Sequence, residues 1–150
     1  MLNANGDNKQ AGNITLQAQN DIKVVPANSI TARSSGGSGG DITLSTVNGN
    51  INIGSVDTSG ILLGGKINIA STKGDITTDL LQSSYNLTTN KAGTVNLTGG
   101  GNLTTNGIQS SALENGGVIT LSGEKSINLR GGVLSDSLKG VSGNIQHFSG

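Results

Sequence analysis

A five-residue phrase recurs along the whole chain, and its spacing limits what the chain can fold into. It reads Gly12-Asn13-Ile14-Thr15-Leu16, then Gly40-Asp41-Ile42-Thr43-Leu44, Gly65-Lys66-Ile67-Asn68-Ile69, Gly93-Thr94-Val95-Asn96-Leu97, Gly117-Val118-Ile119-Thr120-Leu121 and Gly143-Asn144-Ile145-Gln146-His147. The lead aliphatics lie 28, 25, 28, 24 and 26 residues apart. A second, weaker copy follows each of the first five, around Ile22, Ile51, Ile76, Leu103 and Ile127, and a third apolar position follows at Ile30, Val56, Leu81, Ile108 and Val133. Leu62, Leu87, Leu113 and Leu138 form a fainter fourth series. Strict apolar–polar alternation over four or five positions marks a half-buried strand, and no 3.6-residue period persists long enough for a helix.

Strands this short cannot bury a face alone. Stacked on their equivalents at ~4.8 Å, they enclose a continuous aliphatic column. The pattern predicts an all-β chain: a right-handed parallel β-helix of about five coils, each of about 26 residues with three short strands. The expected core columns are Ile14, Ile42, Ile67, Val95 and Ile119 from the first strands, and Ile22, Ile51, Ile76, Leu103 and Ile127 from the second. Residues 1–11 read as a loose lead-in and 12–150 as one solenoid domain, with repeats at 12–39, 40–64, 65–92, 93–116 and 117–142 and a partial one at 143–150. Corner Gly and Asn fit positions that tolerate positive φ. Thr78 and Thr105 occupy inward slots that are apolar in the coils before them, so their hydroxyls are expected to bond to each other or to nearby backbone. Neither end shows a cap, so the chain reads as a segment of a longer solenoid with a tendency to associate end to end.

Composition closes several functional classes. Among 150 residues there are 9 Lys+Arg and 9 Asp+Glu, which argues against an electrostatic grip on nucleic acid, and the absence of Cys removes disulfide and thiolate-metal chemistry. No apolar run approaches a membrane span, and Met1–Gln10 lacks the basic and apolar regions of a signal peptide. One Tyr, one Phe and no Trp leave no aromatic platform for sugars.

Comparing the repeats with one another separates coil-building residues from candidate sites. Asp21, Asp41 and Asp75 share columns with Asn13, Asn50, Lys66, Thr94, Asn102, Val118 and Ser126, a range that suits a turn position and not a catalytic carboxylate. Asp41 stacked on Lys66 is expected to form an exposed cross-coil ion pair. Asp75 and Asp79 are the acids nearest to each other, without the clustered partners that hydrolysis on a β-helix needs. His147 has no serine or acid placed beside it. Gly36-Gly37-Ser38-Gly39-Gly40-Asp41 matches a calcium-binding nonapeptide only once, so it reads as a flexible corner. The outward columns Thr15, Thr43, Asn68, Asn96, Thr120 and Lys23, Asn52, Thr77, Thr104, Asn128 are too mixed for a regular water-ordering, ice-binding grid. Sequons at Asn13, Asn86, Asn96 and Asn102 follow almost automatically from the repeat. No catalytic, metal or cofactor residue is expected, and the chain reads as non-enzymatic.

The runs Gly39–Leu44, Gly49–Ile53, Gly54–Gly60 and Gly64–Ile69 resemble the repeats of filamentous haemagglutinin-like proteins, the exoproteins of bacterial two-partner secretion, in phrasing closest to cyanobacterial versions. The resemblance covers nearly everything from Gly12 onward. It implies a secreted or surface-anchored adhesin rod, exported through an outer-membrane transporter partner and meeting glycans or proteins on a host or neighbouring cell. The family's amino-terminal secretion domain, with its Asn-Pro motifs, has no counterpart here; the only proline is Pro26. The role implied is the shaft. The alternative is a carbohydrate-binding or carbohydrate-active β-helix, with an ice-binding solenoid behind it.

Overall fold

A computed structural model describes residues 1–24, 29–84 and 88–150; Pro26, Leu87 and the sequon at Asn86 lie outside them. The fold is a parallel β-solenoid of about five turns. Its strands, in chain order, are β1 (Leu2–Asn3), β2 (Ile14–Ala18), β3 (Ile22–Lys23), β4 (Ile30–Thr31), β5 (Ile42–Thr46), β6 (Ile51–Asn52), β7 (Val56–Asp57), β8 (Ile67–Ser71), β9 (Ile76–Gln82), β10 (Val95–Gly99), β11 (Asn102–Gln109), β12 (Ile119–Gly123), β13 (Ser126–Leu129), β14 (Val133–Leu134) and β15 (Ile145–Ser149). No α-helix occurs among the described residues.

The first strands of the coils form one six-stranded sheet in the order β15-β12-β10-β8-β5-β2. Every pair is parallel and in register, so Ile14, Ile42, Ile67, Val95, Ile119 and Ile145 stand in one row. The second and third strands share a nine-stranded sheet. In two coils they run together as the longer strands β9 and β11. The corner survives there as a bend: Ile76, Thr78 and Leu81 face in, with Asp79 and Leu80 turned out between them.

The core holds the two expected rows and two more. Ile14, Ile42, Ile67, Val95, Ile119, Ile22, Ile51, Ile76 and Leu103 are buried, and Ile127 is half-buried, on the last coil that has a second strand. Ile30, Val56, Leu81 and Ile108 add a row from the third strands, and Leu44, Ile69, Leu97 and Leu121 a further one from the second inward position of the first strands. No aromatic residue enters the core among the described residues, where the coil interior is filled by stacked aliphatics. Each fully buried Ile or Leu contributes roughly 1.5–3 kcal/mol. The two inward threonines reach backbone: the Thr105 hydroxyl donates to the carbonyls of Asp79 (3.1 Å) and Gly107 (3.2 Å), and that of Thr78 reaches the Asp79 carbonyl at 3.4 Å.

Residues 1–11 depart from the expected loose lead-in. Leu2 and Asn3 pair with Ile30 and Thr31, Gly6 bridges Ser34, and the Ala11 N–H donates to the Ser38 carbonyl at 2.9 Å. They supply the third strand and closing loop of a coil below the first full repeat. Their alternation is too short to be read in sequence, and what holds them is backbone pairing, which any residue but proline can make.

The lead glycines also act differently from expectation. None has a φ in the left-handed range. A Cβ on Gly65 would instead overlap the carbonyl oxygen of Gly40, one on Gly93 that of Gly65, and one on Gly117 that of Gly93. The glycines form a column in which backbone stacks on backbone. Each also closes its coil: the N–H groups of Gly12, Gly40, Gly65, Gly117 and Gly143 donate to the carbonyls of Ala4, Ala32, Thr58, Ser110 and Ser135 at 2.7–2.8 Å. Buried hydroxyls seal the same seam, Thr58 Oγ1 donating to the Gly65 carbonyl (3.0 Å) and Ser110 Oγ to that of Gly93 (2.7 Å). The variation in repeat length falls in the closing loops and corners, and the first strands keep five residues each.

Candidate functional site

The polar residues that recur before the strands turn out to be structural. Asn13 Oδ1 accepts the backbone N–H of Asp41 (2.8 Å), and Asp41 Oδ1 accepts that of Lys66 (2.8 Å). In the second corner Asp21 takes the N–H of Asn50 (2.7 Å), Asn50 that of Asp75 (2.8 Å), and Asp75 that of Asn102 (2.6 Å). Asn102 Oδ1 then accepts the Ser126 hydroxyl at 2.8 Å. Each side chain reaches from one coil to the next, so both corners carry a ladder of Asx oxygens. A carbonyl oxygen of Asn and a carboxylate oxygen of Asp serve this purpose equally, which explains why the two residues interchange.

This geometry replaces the Asp41–Lys66 ion pair: the carboxylate is engaged by the Lys66 backbone and not by its ammonium group. An ion pair forms elsewhere, between Arg33 Nε and Asp57 Oδ2 at 3.8 Å, both on the nine-stranded sheet's side of the coil. Asp75 and Asp79 have separate partners. Asp79 Oδ1 accepts the Asn106 amide at 2.8 Å, while Asp75 serves Asn102. His147 lies on the exposed strand β15, opposite Leu121.

The Gly36–Asp41 run is tight where a flexible corner was expected. A Cβ on Gly37 would overlap the Lys9 carbonyl, and one on Gly39 that of Thr58. Ser34 Oγ accepts the Gly37 N–H at 2.9 Å and donates to the Lys9 carbonyl at 2.5 Å. Its acid, Asp41, is spent on the ladder. Among the described residues no three His, Cys, Asp or Glu side chains gather where a metal ion could sit. Of the sequons, Asn96 Nδ2 donates to Asn68 Oδ1 (2.9 Å) and Asn102 Nδ2 to Asp75 (3.2 Å). The leucine series breaks up: Leu113 and Leu138 are on adjoining coils, but Leu62 donates its N–H to Gly37 and accepts from Lys91, and Leu62 and Leu138 stand exposed.

Two hollows lie at the end of the first strands, and a third, of about 190 Å³, is lined by Asp21, Ile22, Lys23, Asn50 and Asn52 of the second strands and their corner. One hollow of about 560 Å³ is lined by Gln17, Ala18, Gln19, Ser45, Thr46, Val47 and Thr72. A second, of about 260 Å³, begins at Thr72 and runs past Ala70, Thr98 and Gly100 to Ser122 and Glu124. Gln17, Ser45, Ala70, Thr98 and Ser122 are consecutive register partners. The two hollows share Thr72 and follow one another along this row. The signal was present in the sequence as a column of small polar residues, but a concavity depends on how the corner turns.

Comparison with protein-family models, with curated proteins and with solved structures finds no match. Fold and geometry carry the functional argument.

Proposed function

We propose that this chain is a shaft segment of a secreted or surface-exposed filamentous haemagglutinin-like adhesin, non-catalytic, which supports cell adhesion or cell–cell contact. The observation that supports this reading is where the polar residues go. The recurrent Asp, Asn, Ser and Thr of the corners and seam bond coil to coil, so the repeat is written for axial continuity. Such a rod transmits load along its axis through backbone pairing and can lengthen by adding units without redesign. Local contacts also let coils add one after another to a chain threaded outward through a transporter pore, each completed coil resisting backward movement. No helix among the described residues is long and apolar enough to cross a membrane.

The test is immunodetection on intact and on lysed cells of the organism that carries the chain, paired with surface proteolysis. The reading expects the epitope on intact cells and its loss to external protease. An epitope reachable only after lysis overturns it.

A further inference from the structure

We infer that Asn48 is a self-modification site: with water as the only co-reactant, its side-chain amide is lost through a cyclic imide, and the isoaspartate that forms loosens one corner of the rod. This goes beyond the shaft role, which assigns no chemistry to the chain. Four asparagines precede a glycine, Asn5, Asn48, Asn106 and Asn115, and in such a pair no β-carbon shields the following backbone nitrogen. The reaction is intramolecular. The glycine nitrogen gives up its proton to base and attacks Cγ of the asparagine; the N–Cγ bond forms, the Cγ–Nδ2 bond breaks, and ammonia leaves with a proton from solvent. Water then opens the imide at either carbonyl, giving aspartate or isoaspartate.

The four pairs differ in what their reacting groups are already bonded to. Asn5 Oδ1 accepts the Arg33 N–H (3.0 Å) and the Gly6 N–H donates to the Arg33 carbonyl (2.9 Å), so both groups are held. Asn106 Nδ2 donates to Asp79 Oδ1 (2.8 Å), and the Gly107 N–H to Thr105 Oγ1 (3.3 Å). The Gly116 N–H donates to the Val141 carbonyl at 3.1 Å. At Asn48 neither group is engaged. Its exposed carboxamide has no hydrogen-bond partner among the described residues, and the peptide joining it to Gly49 has none at its carbonyl or its N–H. One coil on, the equivalent N–H of Gly74 is taken by Ser71 Oγ at 2.8 Å. Thr46, the register partner of Ser71, instead donates its hydroxyl to the Gly49 carbonyl. Ring closure at Asn48 therefore breaks no hydrogen bond. Burial of Gly49 slows the loss of its proton, so the change belongs to the ageing of the rod and not to its folding.

The product matters because of where Gly49 sits. Its carbonyl accepts the hydroxyls of Thr46 and Ser71, each at 2.8 Å. A Cβ on Gly49 would overlap the Asn20–Asp21 peptide, and one on Gly74 would overlap the Gly49 carbonyl, so three successive coils meet here backbone to backbone. Aspartate leaves that backbone unchanged. Isoaspartate routes the main chain through the former side chain and lengthens it by a methylene, which displaces the Gly49 carbonyl from the two hydroxyls in a corner with no spare room.

The experiment ages the whole chain in warm, mildly alkaline buffer made with heavy-oxygen water, folded in one sample and in urea in another, and follows all four asparagines by peptide mapping with mass spectrometry. In the folded chain Asn48 should convert roughly fivefold faster than the other three, each of which must first release a hydrogen bond. Solvent oxygen should enter at residue 48, with isoaspartate among the products, and in urea the four rates should converge. Conversion at Asn48 no faster than elsewhere, or none at all, overturns the proposal, as does a lead that persists undiminished in urea. Melting temperatures test the loosening. That of the aged chain should fall; that of Asn48→Ser, which cannot form the imide, should hold through the same ageing; and fresh Asn48→Asp, which adds the charge without the longer backbone, should melt like the unaged chain. An aged chain that melts unchanged, an aged Asn48→Ser chain that falls equally, or a fresh Asn48→Asp chain that melts as low as the aged one overturns the loosening.

Discussion

At the scale of single residues, the chain separates conformational from steric reasons for glycine. Gly65 has a left-handed φ no more than the others do, yet a Cβ there has nowhere to go because the Gly40 carbonyl is rigid backbone. Gly65→Ala is expected to lower stability by about 1–3 kcal/mol, the usual cost of overpacking. Gly132→Ala, whose Cβ would meet only Leu134 Cγ at 3.9 Å, should be near neutral; equal denaturation midpoints for the two variants would remove the steric argument. The Asx ladder makes a second claim at this scale. Asp75→Asn keeps an acceptor for the Asn102 N–H and should change stability by less than about 0.5 kcal/mol, while Asp75→Ala loses the rung and about 1 kcal/mol. Both are read by urea titration. If Asn destabilises as much as Ala, the carboxylate has a role that the ladder does not describe.

At the scale of the strand, what matters is that a residue's neighbours are its own equivalents. Ile76 lies between Ile51 and Leu103 in register, fully buried. Ile76→Asp places an unpaired charge inside the column and is expected to unfold the middle of the rod, with loss of the β signal in far-UV circular dichroism. Ile76→Val removes one methyl group and should cost about 0.5–1.5 kcal/mol. An unchanged melting temperature for the aspartate variant would mean that Ile76 does not face the core. The merging of second and third strands into β9 and β11 belongs to this scale too. Where the second strand ends on an inward threonine, its hydroxyl bonds the backbone at the bend, and pairing continues across it.

At the scale of the whole molecule, coils are nearly interchangeable. Removal of residues 65–92 should bring Gly93 onto the seat of Gly65 and β10 onto β5 in the same register. The shortened chain is expected to keep its β spectrum and unfold at a lower denaturant concentration, since one set of neighbour contacts is lost. A shortened chain that is unfolded in buffer would show that the coils are not equivalent units. Ile127 and β15 illustrate the dependence on neighbours: the same alternating pattern that is buried in the middle is half-buried or exposed at the last coil.

The parallel stacking, the position of each first strand and the nine buried members of the two core rows were legible from sequence alone. An apolar residue recurring at a coil's interval has one place to go when strands stack in register. The outward ladders, the closing seam and the reason for its glycines were not legible. They depend on which backbone atom of one coil faces which side chain of the next, and Asp, Asn, Ser and Gly look the same in a pattern whether they turn a corner or bond across it. Residues 1–11 and the hollows at the ends of the first strands show the same division. Backbone pairing holds the first without any sequence signature, and the second is a shape made by the corner's path, which only the packed coils decide.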